Sequence, residues 1–207
     1  MEGPLAPPAA LTVLYTAGLR GDLALLPGLF TFLRDLRARA EGSAVLLADL
    51  GRSCAPDVWH CGVTGGRSML VALDGMGYHA ANVSGSPTPG LRAKMSDLTQ
   101  MALVDSAHAY AWSAAVQVIA GEAVADAPLI VRLDAAPATA LEGRVLWLQN
   151  VEHGQVGRAR LRAGGLEAAD VLALPRATEP DPTIAGVVDF IISEARYAQK
   201  RGKGQGA

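Results

Sequence analysis

The chain has 207 residues, a net charge of −2, 50% hydrophobic residues and 18% charged residues, where about 25% charged is usual. The length suits a single domain with a sizeable core, and the near-neutral charge argues against nucleic-acid binding by the surface as a whole. An uncharged apolar stretch of about 18 residues is absent from the sequence, so we expect no membrane insertion.

The two ends of the chain have compositions that predict irregular structure. Residues 1–10, MEGPLAPPAA, are rich in proline and alanine and form a predicted N-terminal arm. This arm lacks the basic residues and the long apolar segment of a secretion signal, so we expect a cytoplasmic location. Residues 201–207 form a basic, glycine-rich tail that we expect to be disordered. A single domain is therefore predicted over residues 11–200.

The first half of this domain alternates strand and helix patterns. Apolar runs at 11–15 and 44–48 predict two buried strands. Between them, residues 22–39 carry apolar side chains every three or four positions, which predicts an amphipathic helix. This unit should have parallel strands and a right-handed connection. A second helix over 67–76 and a third strand over 80–83 continue the alternation.

The second half of the chain has the residue pattern of a strand-rich region. Short apolar runs separated by Gly, Pro and Asp cover residues 116–120, 129–133, 144–149, 156–162 and 171–174. Residues 84–90 predict a loop, and residues 95–105 fit a helix and a strand equally well. A closing helix is predicted over 183–200, with Asp181 as its N-terminal cap. The predicted fold class is a layered α/β sandwich in which two sheets face each other between helices.

Three strand–loop segments are the most informative feature of the sequence. They read VLYTAGLRG at 13–21, VLLADLGRS at 45–53 and MGYHAANVSGS at 76–86. In each of them an apolar strand runs into a loop that contains glycine. The carboxyl ends of parallel strands are where α/β sheets bind polar ligands, so these loops are the predicted functional region.

In order and spacing these segments resemble the first three motifs of the calcineurin-like metallophosphatases, particularly the 5′-nucleotidase N-terminal domain. That family places Asp-x-His after the first strand, Gly-Asp after the second and Gly-Asn-His-Asp/Glu after the third. The matching positions here hold Gly18 and Arg20, then Gly51 and Arg52, then Ser84, Gly85, Ser86 and Pro87. The resemblance covers roughly residues 11–85 and implies a phosphatase fold whose metal ligands have been replaced. The family's Gly-His-x-His segment is also altered, because LWLQNVEHGQVG contains only His153.

The replacements change the charge that this region favours. Two-metal phosphatase sites need carboxylate, imidazole or amide ligands, and a guanidinium has no lone pair to offer. Arg20 and Arg52 would instead favour an anion such as a phosphate or a nucleotide. The alternative is that both arginines are solvated or pair with Asp22 and Asp49. The candidate anion-binding residues are Arg20, Arg52, Gly51, Ser84 and Ser86.

A second unusual feature is the segment SCAPDVWHCG, which follows the second strand. Cys54, His60 and Cys61, joined by His79 from a distance, are weak candidates for a zinc site, since the usual ligand spacing is absent. A disulfide is a further alternative that a reducing cytosol disfavours. The preferred interpretation is a pair of reduced cysteines flanking a loop held by Trp59. We therefore predict no bound metal and no cofactor.

Three functions are compatible with these observations. The favoured one is a non-catalytic, metallophosphatase-like protein that serves as a binding or assembly module, with a protein partner or a second copy of itself. The second is a phosphoesterase or 5′-nucleotidase-like hydrolase with a rearranged metal site. Its candidate residues are Asp49, His79, Asn82 and His153. The third is a phosphate or nucleotide sensor that uses the two arginines.

Overall fold

The computed structural model describes residues 8–85 and 87–204. In this part of the chain the strands are β1 (Ala10–Thr16), β2 (Ala44–Asp49), β3 (Ala80–Asn82), β4 (Ala102–Val104), β5 (Tyr110–Ser113), β6 (Val116–Ile119), β7 (Leu129–Ala136), β8 (Ala140–Glu142), β9 (Val145–Gln149), β10 (Gln155–Arg162) and β11 (Gly165–Ala173). The helices are α1 (Leu26–Ala38), α2 (Trp59–Thr64), α3 (Arg67–Gly75), α4 (Pro89–Leu98) and α5 (Pro182–Gly204).

The strands form two sheets. One sheet has the order β11-β10-β1-β2-β3-β4, and the other has the order β5-β6-β7-β9-β8. The pairs β1–β2, β2–β3 and β3–β4 are parallel, whereas β10 runs antiparallel to β1. The parallel pairing of β1 with β2 across α1 confirms the unit predicted from the first two strand patterns. The layered α/β sandwich predicted from the sequence is also confirmed.

The core lies in two layers on either side of the first sheet. Alternate residues of a strand face opposite sides, so neighbours on β1 enter different layers. Leu14 packs with α1 residues such as Leu29 and Leu33 on the helix side. Val13 packs with Val131 and other residues of the second sheet on the opposite side. Because both faces are covered, β1 reads as a continuous apolar run rather than an alternating one.

One close contact fixes how β10 sits against β1. Gly157 pairs with Tyr15 in the antiparallel register. A Cβ atom at Gly157 would lie 2.0 Å from the Tyr15 ring, so only glycine leaves room for it. The Tyr15 hydroxyl hydrogen bonds the Thr139 hydroxyl at 3.2 Å, which ties this strand to the second sheet. Burial is the main cause that raises the pKa of Tyr15.

Several elements differ from the predicted ones at their ends. The ambiguous region 95–105 contains both structures, since α4 ends at Leu98 and β4 begins at Ala102. Helix α4 begins at Pro89, inside the predicted loop. Helix α5 continues to Gly204, so the first part of the predicted tail is helical, while residues 205–207 and most of the arm, 1–7, lie outside the described residues.

The predicted cap of the closing helix is confirmed. Asp181 accepts hydrogen bonds from the backbone N–H groups of Thr183 at 2.9 Å and Ile184 at 3.2 Å. The same carboxylate forms an ion pair with Arg34 of α1 at 3.1 Å. This residue therefore both starts α5 and joins it to α1. Within residues 8–85 and 87–204, no helix is long and apolar enough to cross a membrane.

Candidate anion site at the strand ends

The loops that follow β1 and β2 lie side by side and are joined through their backbones. Gly18 donates to the Gly51 carbonyl at 2.9 Å, and Arg20 donates to the Arg52 carbonyl at 3.1 Å. A third bond joins the Gly21 N–H to the Ser53 carbonyl at 2.7 Å. These bonds extend the parallel pairing beyond the ends of the strands. The structure therefore brings the first two predicted motifs together.

Both arginines have an uncommon backbone conformation. Arg20 has φ +52° and Arg52 has φ +58°, in the left-handed region that residues with a Cβ atom rarely occupy. Such conformations cost about 1–3 kcal/mol each and cluster at functional sites. A glycine would adopt these conformations with less strain, so both arginines occupy positions that ordinarily favour glycine.

The two guanidinium groups are exposed in one cavity. Arg20 and Arg52 line a cavity of about 480 Å³ together with Asn150, Glu152 and His153. Arg52 donates to the Asn150 side-chain oxygen at 2.8 Å. Across residues 8–85 and 87–204, neither arginine forms an ion pair. The cavity therefore presents two cationic groups and one exposed carboxylate.

The two aspartates considered as partners of these arginines are engaged elsewhere. Asp22 caps the turn before α1 by accepting from the Ala24 N–H at 3.0 Å, and its other oxygen lies 3.1 Å from His153 Nε2. Asp49 is fully buried. Pairing of the arginines with these two aspartates is therefore not observed, whereas both arginines are exposed, as the solvated form of the same alternative predicts.

Asp49 is held by three hydrogen bonds. Its oxygens accept from the Thr16 hydroxyl at 2.8 Å, the Ser53 hydroxyl at 2.5 Å and the Gly51 N–H at 2.8 Å. Burial raises the pKa of Asp49 to about 6, although these bonds and the charge of Arg52 act in the opposite direction. The carboxyl group thus anchors the loop after β2 from inside the protein. It presents no free oxygen to the cavity.

The other residues considered for a rearranged metal site are not brought together. His79 precedes β3, at the end of the strand remote from the loops, and its Nδ1 accepts from the Leu47 N–H at 2.9 Å. Burial lowers the pKa of His79. The Asn82 amide donates to the Leu133 carbonyl at 3.2 Å, and His153 pairs with Asp22. In the described residues, no group of three or more His, Cys, Asp or Glu side chains could hold a metal ion.

The remaining anion-binding candidates are spread over separate places. The Gly51 N–H is used by Asp49 and its carbonyl by Gly18, so this residue offers no free backbone donor. Ser84 shares a smaller cavity of about 170 Å³ with Arg52. Ser86 lies outside the described residues. Among the described candidates, Arg52 therefore shares one cavity with Arg20 and a separate, smaller one with Ser84.

The prediction of reduced cysteines is wrong. Cys54 and Cys61 form a disulfide with Cα atoms 5.7 Å apart, because the first turn of α2 brings Cys61 back beside Cys54. This bond removes both thiolates from any zinc site. His60 is buried between the Ser68 hydroxyl and the Gly21 carbonyl, at 2.9 Å from each. Trp59, expected to hold the loop, is 42% exposed.

Sequence reasoning missed three residues that shape this site. Asn150 orients Arg52 from a position 98 residues away in the chain. Thr16 bridges Asp49 and the Tyr78 hydroxyl, which lies 3.0 Å from the Thr16 hydroxyl. Burial raises the pKa of Tyr78 far above its usual value. The motif VLYTAGLRG contained Thr16, but nothing local indicated that it faces a buried carboxyl group.

The metals of a two-metal phosphatase site do not fit the residues at these strand ends. Glycines and arginines occupy the ligand positions, and the nearby Asp49 is buried and fully hydrogen bonded. Guanidinium groups repel a dication and supply no lone pair to it. The side chains at these positions therefore do not supply the ligands of a two-metal site.

The order of the strands, the two facing sheets and the paired strand-end loops define a calcineurin-like metallophosphatase or 5′-nucleotidase-like fold. No family model and no curated protein matches the sequence. The fold is similar to three solved structures, each aligned over 93% of this chain.

The first of these is the sulfate thiohydrolase SoxB of Thermus thermophilus, solved in complex with glycerol, with a TM-score of 0.64 and 12% identity. The calcineurin-like phosphoesterase YfkN of Bacillus subtilis has a TM-score of 0.51 and 10% identity, with the whole of that chain covered. The NAD nucleotidase NadN of Haemophilus influenzae has a TM-score of 0.51 and 9% identity. The chain spans 62% of the SoxB chain and 60% of the NadN chain, and identities this low show the fold alone.

Proposed function

We propose that this protein is a non-catalytic binding module with a metallophosphatase-like fold, and that its ligand is a small phosphate-like anion held between Arg20 and Arg52. The observation that carries the proposal is the pair of exposed arginines at the strand ends, where the resembled family places metal ligands. Among the described residues, two arginines that form no ion pair line one cavity, in which Glu152 is the one exposed carboxylate, and this environment suits phosphate or sulfate.

The chemistry of the structural neighbours supports an anionic ligand. Their names refer to a sulfate thiohydrolase, a phosphoesterase and an NAD nucleotidase, and sulfate, phosphoesters and NAD all carry negative charge. The cavity volume of about 480 Å³ lies in the usual range for small-molecule sites. The hydrolase alternative has less support, because Asp49, His79 and Asn82 use their polar atoms in bonds within the fold.

The test combines binding with metal content. Titration of inorganic phosphate, sulfate and AMP by calorimetry should give binding to the parent protein. Arg20→Ala and Arg52→Ala should each weaken it by about 10-fold or more, since a hydrogen bond to a charged group contributes about 1.5–3 kcal/mol. Arg160→Ala is the matched control, because Arg160 is exposed on β10 and lines none of the three strand-end cavities.

Metal analysis of the same samples distinguishes the proposal from the hydrolase. We expect no stoichiometric metal and no turnover of a generic phosphoester after manganese or zinc is added. Stoichiometric metal with turnover that persists in Arg20→Ala would overturn the proposal. The protein partner or second copy predicted from the sequence is part of the same proposal, and light scattering of the purified protein measures whether it self-associates.

A further inference from the structure

The disulfide lies where the cavities at the strand ends meet. The cavity of the two arginines, here called the arginine cavity, is adjoined by a larger one of about 740 Å³, lined in part by Ser84, Arg92 and His108. Cys54, Ala55 and Pro56 line both cavities. Cys54 also lines the smaller cavity near Ser84. Cys54 therefore lines all three of the strand-end cavities described above.

The two cysteines differ in their exposure and in the cavities that they line. Cys54 is half-buried and lines both cavities, whereas Cys61 is only 3% exposed and lines only the larger one. A thiolate that enters the arginine cavity therefore meets Cys54 and not Cys61. Because exchange requires direct attack on one sulfur, access selects Cys54 as the attacked atom.

The buried Ser68 hydroxyl lies close to Cys54, and the buried His60 imidazole lies next to Ser68. The Ser68 hydroxyl lies 3.8 Å from the Cys54 sulfur and 2.9 Å from His60 Nδ1. His60 Nε2 must carry a proton, since it lies 2.9 Å from the Gly21 carbonyl, which can only accept. In this tautomer the other nitrogen, Nδ1, accepts from the Ser68 hydroxyl. Both residues are buried, at 4% and 3% exposure, so solvent does not compete for these bonds.

We infer that the Cys54–Cys61 disulfide undergoes thiol exchange with a small thiol that also carries an anionic group. This inference rests on the proposed function, because the anionic group is held by Arg20 and Arg52 while the thiol reaches Cys54 from the same cavity. The ligand thiolate attacks the Cys54 sulfur and forms a new S–S bond with it. The bond between Cys54 and Cys61 breaks, and its electron pair leaves with Cys61 as a thiolate that takes a proton from water. The proton first lost by the ligand thiol passes to solvent, so atoms and charge balance.

A second ligand thiolate then attacks the ligand sulfur of the mixed disulfide. Cys54 leaves as a thiolate, and the ligand departs as its own disulfide, so the protein is reduced by two electrons and two thiols are oxidised. The Ser68 hydroxyl gives its proton to the hydrogen bond with His60 Nδ1, so its oxygen can accept from a thiol on the released Cys54. A proton on the Cys54 thiol can move through Ser68 to His60 Nδ1, which keeps Cys54 as the reactive thiolate. Ser68 and His60 are thus positioning residues for this exchange.

The experiment compares three small thiols of different charge at equal thiolate concentration. The probes are 2-mercaptoethanesulfonate, 2-mercaptoethanol and cysteamine, which are anionic, neutral and cationic. Thiols released in the intact protein are alkylated over time and located by peptide mass spectrometry. We expect the anionic probe to react about 10-fold faster than the neutral one, and the cationic probe to be the slowest. Arg52→Ala should reduce the anionic rate to that of the neutral probe, whereas Arg160→Ala should not.

A second variant identifies the attacked sulfur without relying on a short-lived intermediate. Cys61→Ser leaves Cys54 as a single thiol, and bis(2-sulfonatoethyl) disulfide should convert it to a stable mixed disulfide. In the matched Cys54→Ser variant, the buried Cys61 should react at least 10-fold more slowly. In the Cys61→Ser background, Ser68→Ala should move the pH profile of Cys54 alkylation to higher pH, an effect that loss of packing alone does not produce.

The outcomes separate this inference from the proposed function. One result would overturn the exchange site while the anion site stands. In that result phosphate binds but does not slow the anionic probe, and the anionic probe reacts no faster than the neutral one. If phosphate does not bind and the three probes react alike, the proposed function has failed and the inference fails with it. A faster reaction at Cys61 than at Cys54 in the single-cysteine variants also overturns the inference.

Discussion

Replacement of the buried Asp49 by asparagine should change how the stability of this protein depends on pH. Burial in the folded protein raises the pKa of Asp49 to about 6, from the 3.8 of an ordinary aspartate side chain. Because the folded state binds this proton more tightly than the unfolded state, the contribution to stability is fully present below pH 3.8 and is lost as the pH rises through about 6. For these two pKa values, the loss between pH 4.5 and pH 7.5 is about 2 kcal/mol.

Asparagine resembles the protonated carboxyl group and does not titrate. The free energy of unfolding of Asp49→Asn, relative to the parent protein, should therefore rise by about 2 kcal/mol between pH 4.5 and pH 7.5. Urea unfolding followed by tryptophan fluorescence measures this at each pH. Asp35→Asn, an exposed aspartate on α1, is the matched control and should show no such change.

The reasoning about Asp49 is refuted if the relative stability of Asp49→Asn is flat or falls across this pH range. A fall would mean that the ionised carboxylate is stabilised in the folded state, as expected of a metal ligand or of a close partner of Arg52. That result would reopen the rearranged metal site, in which Asp49 was a candidate. A rise would support its assignment as an internal anchor of the loop after β2.

Further predictions follow from single contacts. Gly157→Ala should destabilise the protein by about 1–3 kcal/mol or prevent folding, since the new Cβ meets the Tyr15 ring at 2.0 Å. Gly186→Ala, with nothing within 4 Å, should instead raise the free energy of unfolding by about 0.5–1 kcal/mol, and urea denaturation compares the two. Asp181→Ala should cost about 1–2 kcal/mol through the lost cap of α5, and a neutral result would exclude the capping role. Cys61→Ser should lower the free energy of unfolding by about 2–3 kcal/mol, and reducing agent should then have no further effect on stability.

Much of the fold could be predicted because its signals are local. The apolar run at β1 and the helical spacing over α1 each depend on a few neighbouring residues. The cap at Asp181 was also readable, since a capping carboxylate and its N–H partners lie within three residues. Elements without a strong periodic pattern were harder. Helix α2 is too short to show periodicity, and α4 begins with Pro-Gly, which is typical of a loop.

The site depended far more on contacts between distant segments. Arg20 and Arg52 were identifiable from the strand–loop pattern, but their positive φ angles and their shared cavity were not. Asp49 looked like a candidate ligand in sequence, and only burial beside Thr16 and Ser53 revealed it as an anchor. The Cys54–Cys61 bond was misjudged because the redox argument outweighed geometry that only the turn of α2 supplies.

By itself, the sequence determined the alternation of strands and helices and the absence of the resembled family's metal ligands at three strand ends, because residue type and spacing are properties of the chain. The tertiary structure alone decided which polar groups face the cavity and which form hydrogen bonds inside the fold. Asn150 reaches Arg52, and His153 reaches Asp22, across about a hundred residues or more of chain. The physical reason is that sheet pairing brings β1, β2 and the loop before β10 to one edge, and hydrogen bonding and burial then set the charge of each group.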